Sequence, residues 1–298
     1  MIAFSVVAFS LVGSVLIWLA GRRDEARDPR LTLAVLGLLA CFPLLSLLPK
    51  VEVSGLPAAG PAWTAWLGWA WAAGVLLFSI RLIVALVQLT LWRRRSIPVD
   101  HHAHGGCMVE IRMLDGLACP VAAGVLKPLI LVPSAWREWS PALRETVIAH
   151  ELCHHERRDP LWRSLAAVTC TLHWFNPLVW WMAVRLADQC EYACDERVVS
   201  HGLAAQAYAR DLCDVAAICR APATTLAMAS RRGLESRVRR MLAPRQASPG
   251  IGLVCFMLLA VTGAVALAMI ERGPAEIIPA VEIEEVRTRL SADPFPGN

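Results

Sequence analysis

His150-Glu151-Leu152-Cys153-His154 spaces two imidazoles four residues apart, with a carboxylate beside the first. On a helix, positions i and i+4 share one face, so both histidines can reach one zinc ion while Glu151 reaches a water beside it. A catalytic zinc takes three protein ligands and keeps a fourth position open, so a third ligand must arrive from elsewhere in the chain. The run Glu191-Tyr192-Ala193-Cys194-Asp195-Glu196 offers a carboxylate, and Glu191 is the expected third ligand. Residue types and spacing together point to zinc-dependent peptide hydrolysis.

The motif needs a helix, and the preceding residues supply a start for one. Ser140 suits an N-cap, Pro141 suits the first helical position, and no breaker follows until Pro160. Residues 161–187 are apolar enough to pass for a membrane span. A single crossing, however, would leave Glu191 on the opposite side from His150 and His154. Phe175-Asn176-Pro177 resolves the conflict, because proline breaks a helix and restricts the residue before it. The expected element is a helical hairpin, with one arm from Asp159 to Trp174 and a second starting at Pro177 that returns Glu191 to the histidines. Trp174, Trp180 and Trp181 near its tip suit either the membrane interface or packing against spans. His173 and Arg163 require a protein-lined or wet face.

The chain has 298 residues, 56% of them hydrophobic and 18% charged, and a mean hydropathy of +0.50, too apolar for an ordinary soluble protein. The expected fold class is mainly α, a polytopic membrane protein. Residues 1–92 carry three spans at about 2–20, 31–49 and 61–91. Residues 93–249 form a peptidase domain with a small strand-rich segment and the hairpin, 250–270 a fourth span, and 271–298 a short tail. Arg22, Arg23, Arg27 and Arg30 follow the first span, Arg93 to Arg95 the third, and six arginines between 231 and 245 precede the fourth. By the positive-inside rule both termini face outward and 93–249 is cytoplasmic. Arg81 is expected at the cytoplasmic boundary, with 82–92 emerging as an amphipathic helix. The net charge of +4 follows from this bias and does not call for nucleic acid. Most of the ten cysteines fall inside, where thiols stay reduced; Cys190 and Cys194 read as small buried hydrophobes. The run from His101 to Cys107, with Gly105 and Gly106, reads as a solvated loop.

Several motifs resemble the BlaR/MecR-type integral-membrane zinc peptidases, the antibiotic-sensing signal transducers of bacteria. Cys119-Pro120, Gly124, Lys127-Pro128 and Pro133 are similar to that family's strand-rich segment. Residues 150–159 resemble its active-site helix, 173–180 its hairpin and 191–195 its third-ligand motif. The Glu191 to Asp195 element is also similar to that of CAAX-type and heat-shock membrane proteases. The resemblance implies a Zn²⁺ held by His150, His154 and Glu191, with Glu151 as general base and then acid. Asp195 would accept an N–H from a ligand histidine, a role Asp159 is expected to share unless it serves simply to end the helix. His173 and Arg197 are the candidates for stabilising the oxyanion.

The resemblance also implies a bacterial plasma-membrane location and a peptide or protein substrate. That substrate would be the chain itself, cut between 231 and 245, or a winged-helix transcriptional repressor, and a homodimer is a further expected partner. The 231–245 stretch also reads simply as a positive-inside anchor. Residues 271–298 contain no Ser-x-x-Lys, so a penicillin-binding sensor domain and acylation by a β-lactam are not expected. The rival functions are a general membrane quality-control protease and a signalling protein whose zinc is structural.

Overall fold

The computed structural model describes residues 29–41, 51–53, 63–104, 107–219, 225–242 and 270–272, together with Val15. In chain order the elements are α1 (Arg30–Cys41), β1 (Val51–Val53), α2 (Trp63–Arg95), β2 (Ile97–His104), β3 (Cys107–Leu114), β4 (Val121–Ala123) and β5 (Leu129–Pro133). A 3₁₀ turn (Ser134–Glu138) leads into α3 (Pro141–Glu156), α4 (Asp159–Leu172), α5 (Pro177–Ser200), α6 (Ala205–Ile218), α7 (Thr225–Leu242) and β6 (Ile270–Arg272). The protein is mainly helical with a small sheet.

That sheet has the order β2-β3-β5-β4; β3 and β5 run parallel, and the other two pairs are antiparallel. β5 reads Leu-Ile-Leu-Val-Pro and is buried at every position, as a strand covered on both faces must be. On one face Ile130 and Val132, with Val109, Ile111 and Met113 of β3, meet Leu143, Val147 and Leu152 of α3. On the other, Leu114, Leu129 and Leu131 meet Leu89 and Trp92 near the end of α2. Arg112 closes this junction by donating to the Ser96 carbonyl at 2.6 Å. The sheet therefore lies between the motif helix and the long apolar helix.

α3 starts as its sequence directs: Pro141 opens it, and the Ser140 hydroxyl accepts from the Leu143 N–H at 3.2 Å. It ends sooner than expected. The chain breaks at Arg157, Arg158 takes a left-handed φ of 59°, and α4 restarts at Asp159 with Pro160 in its first turn. The hairpin forms as α4 and α5, and the Asn176 side chain caps α5 by accepting from Leu178 N–H at 3.1 Å. Ala166 and Cys170 of α4 and Val179, Met182 and Leu186 of α5 bury Val35, Leu36 and Leu39 of α1. At the tip the Trp71 indole donates to the Leu172 carbonyl at 2.9 Å and the Trp174 indole to the Trp71 carbonyl at 3.3 Å. Of the two settings open to the tip tryptophans, Trp174 takes packing against α2.

Among the described residues, one helix is long and apolar enough to cross a membrane: Gly68–Arg95, with mean hydropathy 2.2 and none of its window buried. It covers most of the expected third span. Of the expected second span, Arg30–Cys41 is described as helix. The first and fourth, about 2–20 and 250–270, lie outside the described residues apart from Val15 and Ile270. β1 and β6, which follow the second and fourth, pair in parallel with Val51 opposite Ile270. Two expectations need correction. Residues 82–92 are not amphipathic: Ile83, Val84, Leu86, Val87 and Leu91 are all exposed, and Arg81 sits 5.9 Å from the Trp180 ring. His101 to His104 are no loop either: they lie in β2, which pairs with β3 from Cys107 onward, with its irregularity between Pro98, which lacks an N–H to donate, and Asp100; Gly105 and Gly106 lie outside the described residues.

Gly74 lies flat against the Trp174 indole, and an added Cβ would overlap that ring. Alanine normally improves a helix interior by about 1 kcal/mol over glycine, so the sign of Gly74→Ala reports the contact. The expected outcome is a net loss of about 1–3 kcal/mol in thermal unfolding of the detergent-solubilised protein. In a double-mutant cycle, Trp174→Leu should remove that penalty.

Candidate active site

His150 and His154 point their Nε2 atoms at one carboxylate. Nε2 of His150 lies 3.3 Å from Glu191 Oε2, and Nε2 of His154 lies 3.6 Å from Glu191 Oε1. Ligand atoms of these three residues all fall within 4.8 Å of one another. The two imidazoles are successive turns of α3, with ring planes 88° apart, while Glu191 comes from α5. His155, on another face of α3, fixes the helix by bonding the Leu129 carbonyl of β5 at 3.1 Å.

The outer nitrogens of both rings are already engaged. The Tyr208 hydroxyl donates to Asp195 Oδ1 at 2.7 Å, so its oxygen accepts from His150 Nδ1–H at 2.8 Å. His154 Nδ1–H donates to Asp159 Oδ2 at 2.9 Å. Both rings therefore turn Nε2 toward Glu191, the nitrogen that a neutral imidazole so held would offer to a metal. Arg237 of α7 completes the cluster, donating from Nε to Asp195 Oδ2 at 2.7 Å and from Nη2 to Oδ1 at 2.6 Å. Its Nη1 lies 3.1 Å from Glu191 Oε2.

Electrostatics keeps these groups in useful charge states. Burial pushes the Glu191 carboxyl up, but the His150 hydrogen bond, Arg237 and His154 outweigh it and hold the group well below the usual carboxylate range. Asp159 behaves alike, its burial outweighed by His154 and Arg157, so its pKa is lowered. Burial, helped by the Asp195 charge, raises the Tyr208 phenol and keeps it a donor. Cys190 and Cys194 are wholly buried, and burial pushes the Cys190 thiol up to about 12. The Cys194 thiol lies 3.3 Å from His154 Nδ1 and is raised by its hydrogen bond with Cys153. Both pack as protonated small side chains.

His150, His154, Glu191, Tyr208 and Arg237 line a cleft of about 400 Å³. Glu151 lies in it beside the two histidines, and Val121, Val147, Leu212 and Val215 form an apolar portion. His150, His154 and Glu191 meet at one point, with Asp195 and Asp159 behind the rings. Asp195 reaches His150 chiefly through Tyr208; its own oxygen is 3.5 Å from Nδ1. His173 and Arg197 are not brought to the cleft. His173 donates to the Leu39 carbonyl at 2.7 Å near the hairpin tip, and Arg197 pairs with Glu156 at 2.8 Å. The cations lining the cleft are Arg163 and Arg237.

Tyr208 and Arg237 were not singled out in the sequence. One signal for the tyrosine was available: the chain has two tyrosines, and both Tyr192 and Tyr208 line this cleft. Arg237 was concealed among arginines that also read as a membrane-orientation signal.

Two helical imidazoles facing a carboxylate from a second helix, with a glutamate beside them in an open cleft, form the arrangement found in metallopeptidases of the HExxH class. The family model described as BlaR1 peptidase M56 matches residues 55–242, and the chain belongs to that family. Among similar curated proteins, the regulatory protein BlaR1 of Bacillus licheniformis is 32% identical over 80 residues, which is 27% of this chain and 13% of that protein. The methicillin resistance mecR1 protein of Staphylococcus aureus is 30% identical over 92 residues, 30% of this chain and 16% of that protein. The chain thus matches a minor part of the length of these relatives.

Tyr208→Phe leaves His150 Nδ1 and Asp195 without their shared partner. It should weaken metal binding by about 10–100-fold, read by competition with a chromophoric chelator, while far-UV circular dichroism stays unchanged.

Proposed function

We propose that this chain is a zinc metalloendopeptidase, held in a bacterial plasma membrane by four spans, that cuts peptide bonds on the cytoplasmic side. The observation that carries the reading is the convergence of His150 Nε2, His154 Nε2 and Glu191 in a cleft that also holds Glu151. The donor set of two neutral imidazoles and one carboxylate suits zinc with an open position. Bound there, zinc would supply Lewis-acid activation of water and of the scissile carbonyl.

The protein's own residues do the rest. Glu151 takes the proton of the attacking water and passes it to the leaving amine. Tyr208 with Asp195 holds His150, and Asp159 holds His154, in the tautomers that leave Nε2 free to ligate. Arg163 lies 3.9 Å from Glu191 and is half exposed, so its guanidinium can turn toward charge developing on the substrate carbonyl. It replaces His173 and Arg197 in that proposed role.

Spans at about 2–20, 31–49, 61–91 and 250–270, with 93–249 inside and 271–298 outside, accord with the arginine distribution. The parallel pairing of β1 with β6 supports this, because it brings the exits of the second and fourth spans side by side. Work in signal transduction, by cutting itself or a transcriptional repressor, is supported by the regulatory relatives. Gly233, Leu234 and Arg237 of α7 already line the cleft. Self-cleavage within 231–245 would require this helix to unwind.

Glu151→Gln separates catalysis from a structural zinc. In proteoliposomes the variant should keep its bound zinc by elemental analysis, yet lose at least about 10²-fold in cleavage of itself and of a co-encoded repressor. Undiminished cleavage would overturn the reading.

A further inference from the structure

Two thiols that the mechanism does not use face each other across one side of the cleft. Cys119 precedes β4, the edge strand of the sheet; Cys219 follows directly on α6, whose Leu212, Val215 and Ala216 line the cleft. Both cysteines line that same cleft, and both are free, Cys119 exposed and Cys219 buried. Cys119 Sγ lies 3.7 Å from the Cys219 carbonyl oxygen. We propose that Cys119 and Cys219 are a redox modification site, joined by a peroxide into a reversible disulfide that ties β4 to the end of α6 and narrows the apolar side of the cleft.

The Cys219 thiol lowers the Cys119 pKa, and this outweighs burial. The same pairing raises the Cys219 pKa. Cys119 is therefore the more nucleophilic partner at neutral pH, and it is the one solvent reaches. Its thiolate attacks hydrogen peroxide, so that an S–O bond forms, the O–O bond breaks, and hydroxide leaves to become water. The Cys219 sulfur then attacks the Cys119 sulfur. The S–S bond forms, the S–O bond breaks, and a second water leaves with the Cys219 proton. The two thiols lose two electrons to one peroxide, and a dithiol reverses the change.

Neighbouring cysteines lack this combination. Cys153 and Cys194 shift each other's pKa in the same way, but both are buried in the core behind His154. Cys213 is exposed but has no thiol partner among the described residues. Under the four-span reading Cys119 and Cys219 rest reduced in the cytoplasm and respond when peroxide rises.

Peptide mapping of the full-length protein in detergent, after hydrogen peroxide treatment, tests the bond itself. The expected product is a linked Cys119–Cys219 peptide that dithiothreitol abolishes and that Cys219→Ser lacks. Cys119 over-oxidised without a linked peptide, or links through Cys213 or between Cys153 and Cys194 instead, would overturn the proposal. Hydrogen exchange at residues 121–123 and 212–216 should slow on oxidation in the parent and not in Cys219→Ser; equal rates would defeat the narrowing. The effect on catalysis rests on the peptidase reading. Cleavage should fall at least about tenfold on oxidation and return with dithiothreitol, each protein being compared with its own untreated activity. A reduced protein that cleaves nothing counts against the peptidase reading, while mapping and exchange still decide the fate of the disulfide.

Discussion

Three acidic side chains from two helices must meet two imidazoles and a guanidinium away from bulk water, and the placement of the surrounding helices serves that meeting. A charge taken out of water costs several kcal/mol unless it is paired and hydrogen-bonded. Asp159, Glu191 and Asp195 satisfy this condition through His154, His150, Tyr208 and Arg237. α5 has to lie along α3 for Glu191 and Asp195 to arrive together, one helical turn apart. α6 and α7 then close the far side with one polar side chain each. The left-handed Arg158 fits the same demand: by ending α3 and starting α4 within two residues, it lets Asp159 fold back onto His154.

The apolar framework carries this polar centre without taking part in it. One face of the sheet supports α3 and the other rests on the C-terminal part of α2. The hairpin in turn packs its two arms on α1 and its tip on α2. The site is therefore fixed by two separate hydrophobic clusters, one reaching α3 and one reaching α5. Its ligands sit where elements from both clusters face each other.

How much of this could be read from residues follows from the range of each signal. The motif helix and its cap were legible because Ser140, Pro141 and the spacing of His150 and His154 act within a few residues. The hairpin was legible because Glu191 had to return to the histidines and Asn176-Pro177 marked where the chain could turn. Tyr208 and Arg237 were not, because each acts through a partner in another segment and neither sits in a patterned run. His173 and Arg197 lie outside the cleft for the complementary reason. Residues near the motifs in sequence need not be near the site in space: His173 is the length of α4 from Asp159, and Arg197 faces Glu156. The early end of α3 was equally hidden, since no residue type in Arg157-Arg158 requires a left-handed turn.

Because its parts come from α3, α4, α5, α6 and α7, the polar centre exists only in the folded chain. An unfolded chain keeps His150 and His154 near each other but scatters Glu191, Tyr208 and Arg237 along the sequence. Any cation that prefers the assembled set therefore stabilises the fold by mass action, in proportion to the logarithm of its free concentration. Metal supply and resistance to unfolding are in this sense one thermodynamic variable. The same residues that prepare the cleft for chemistry would make the domain's persistence depend on any ion bound there.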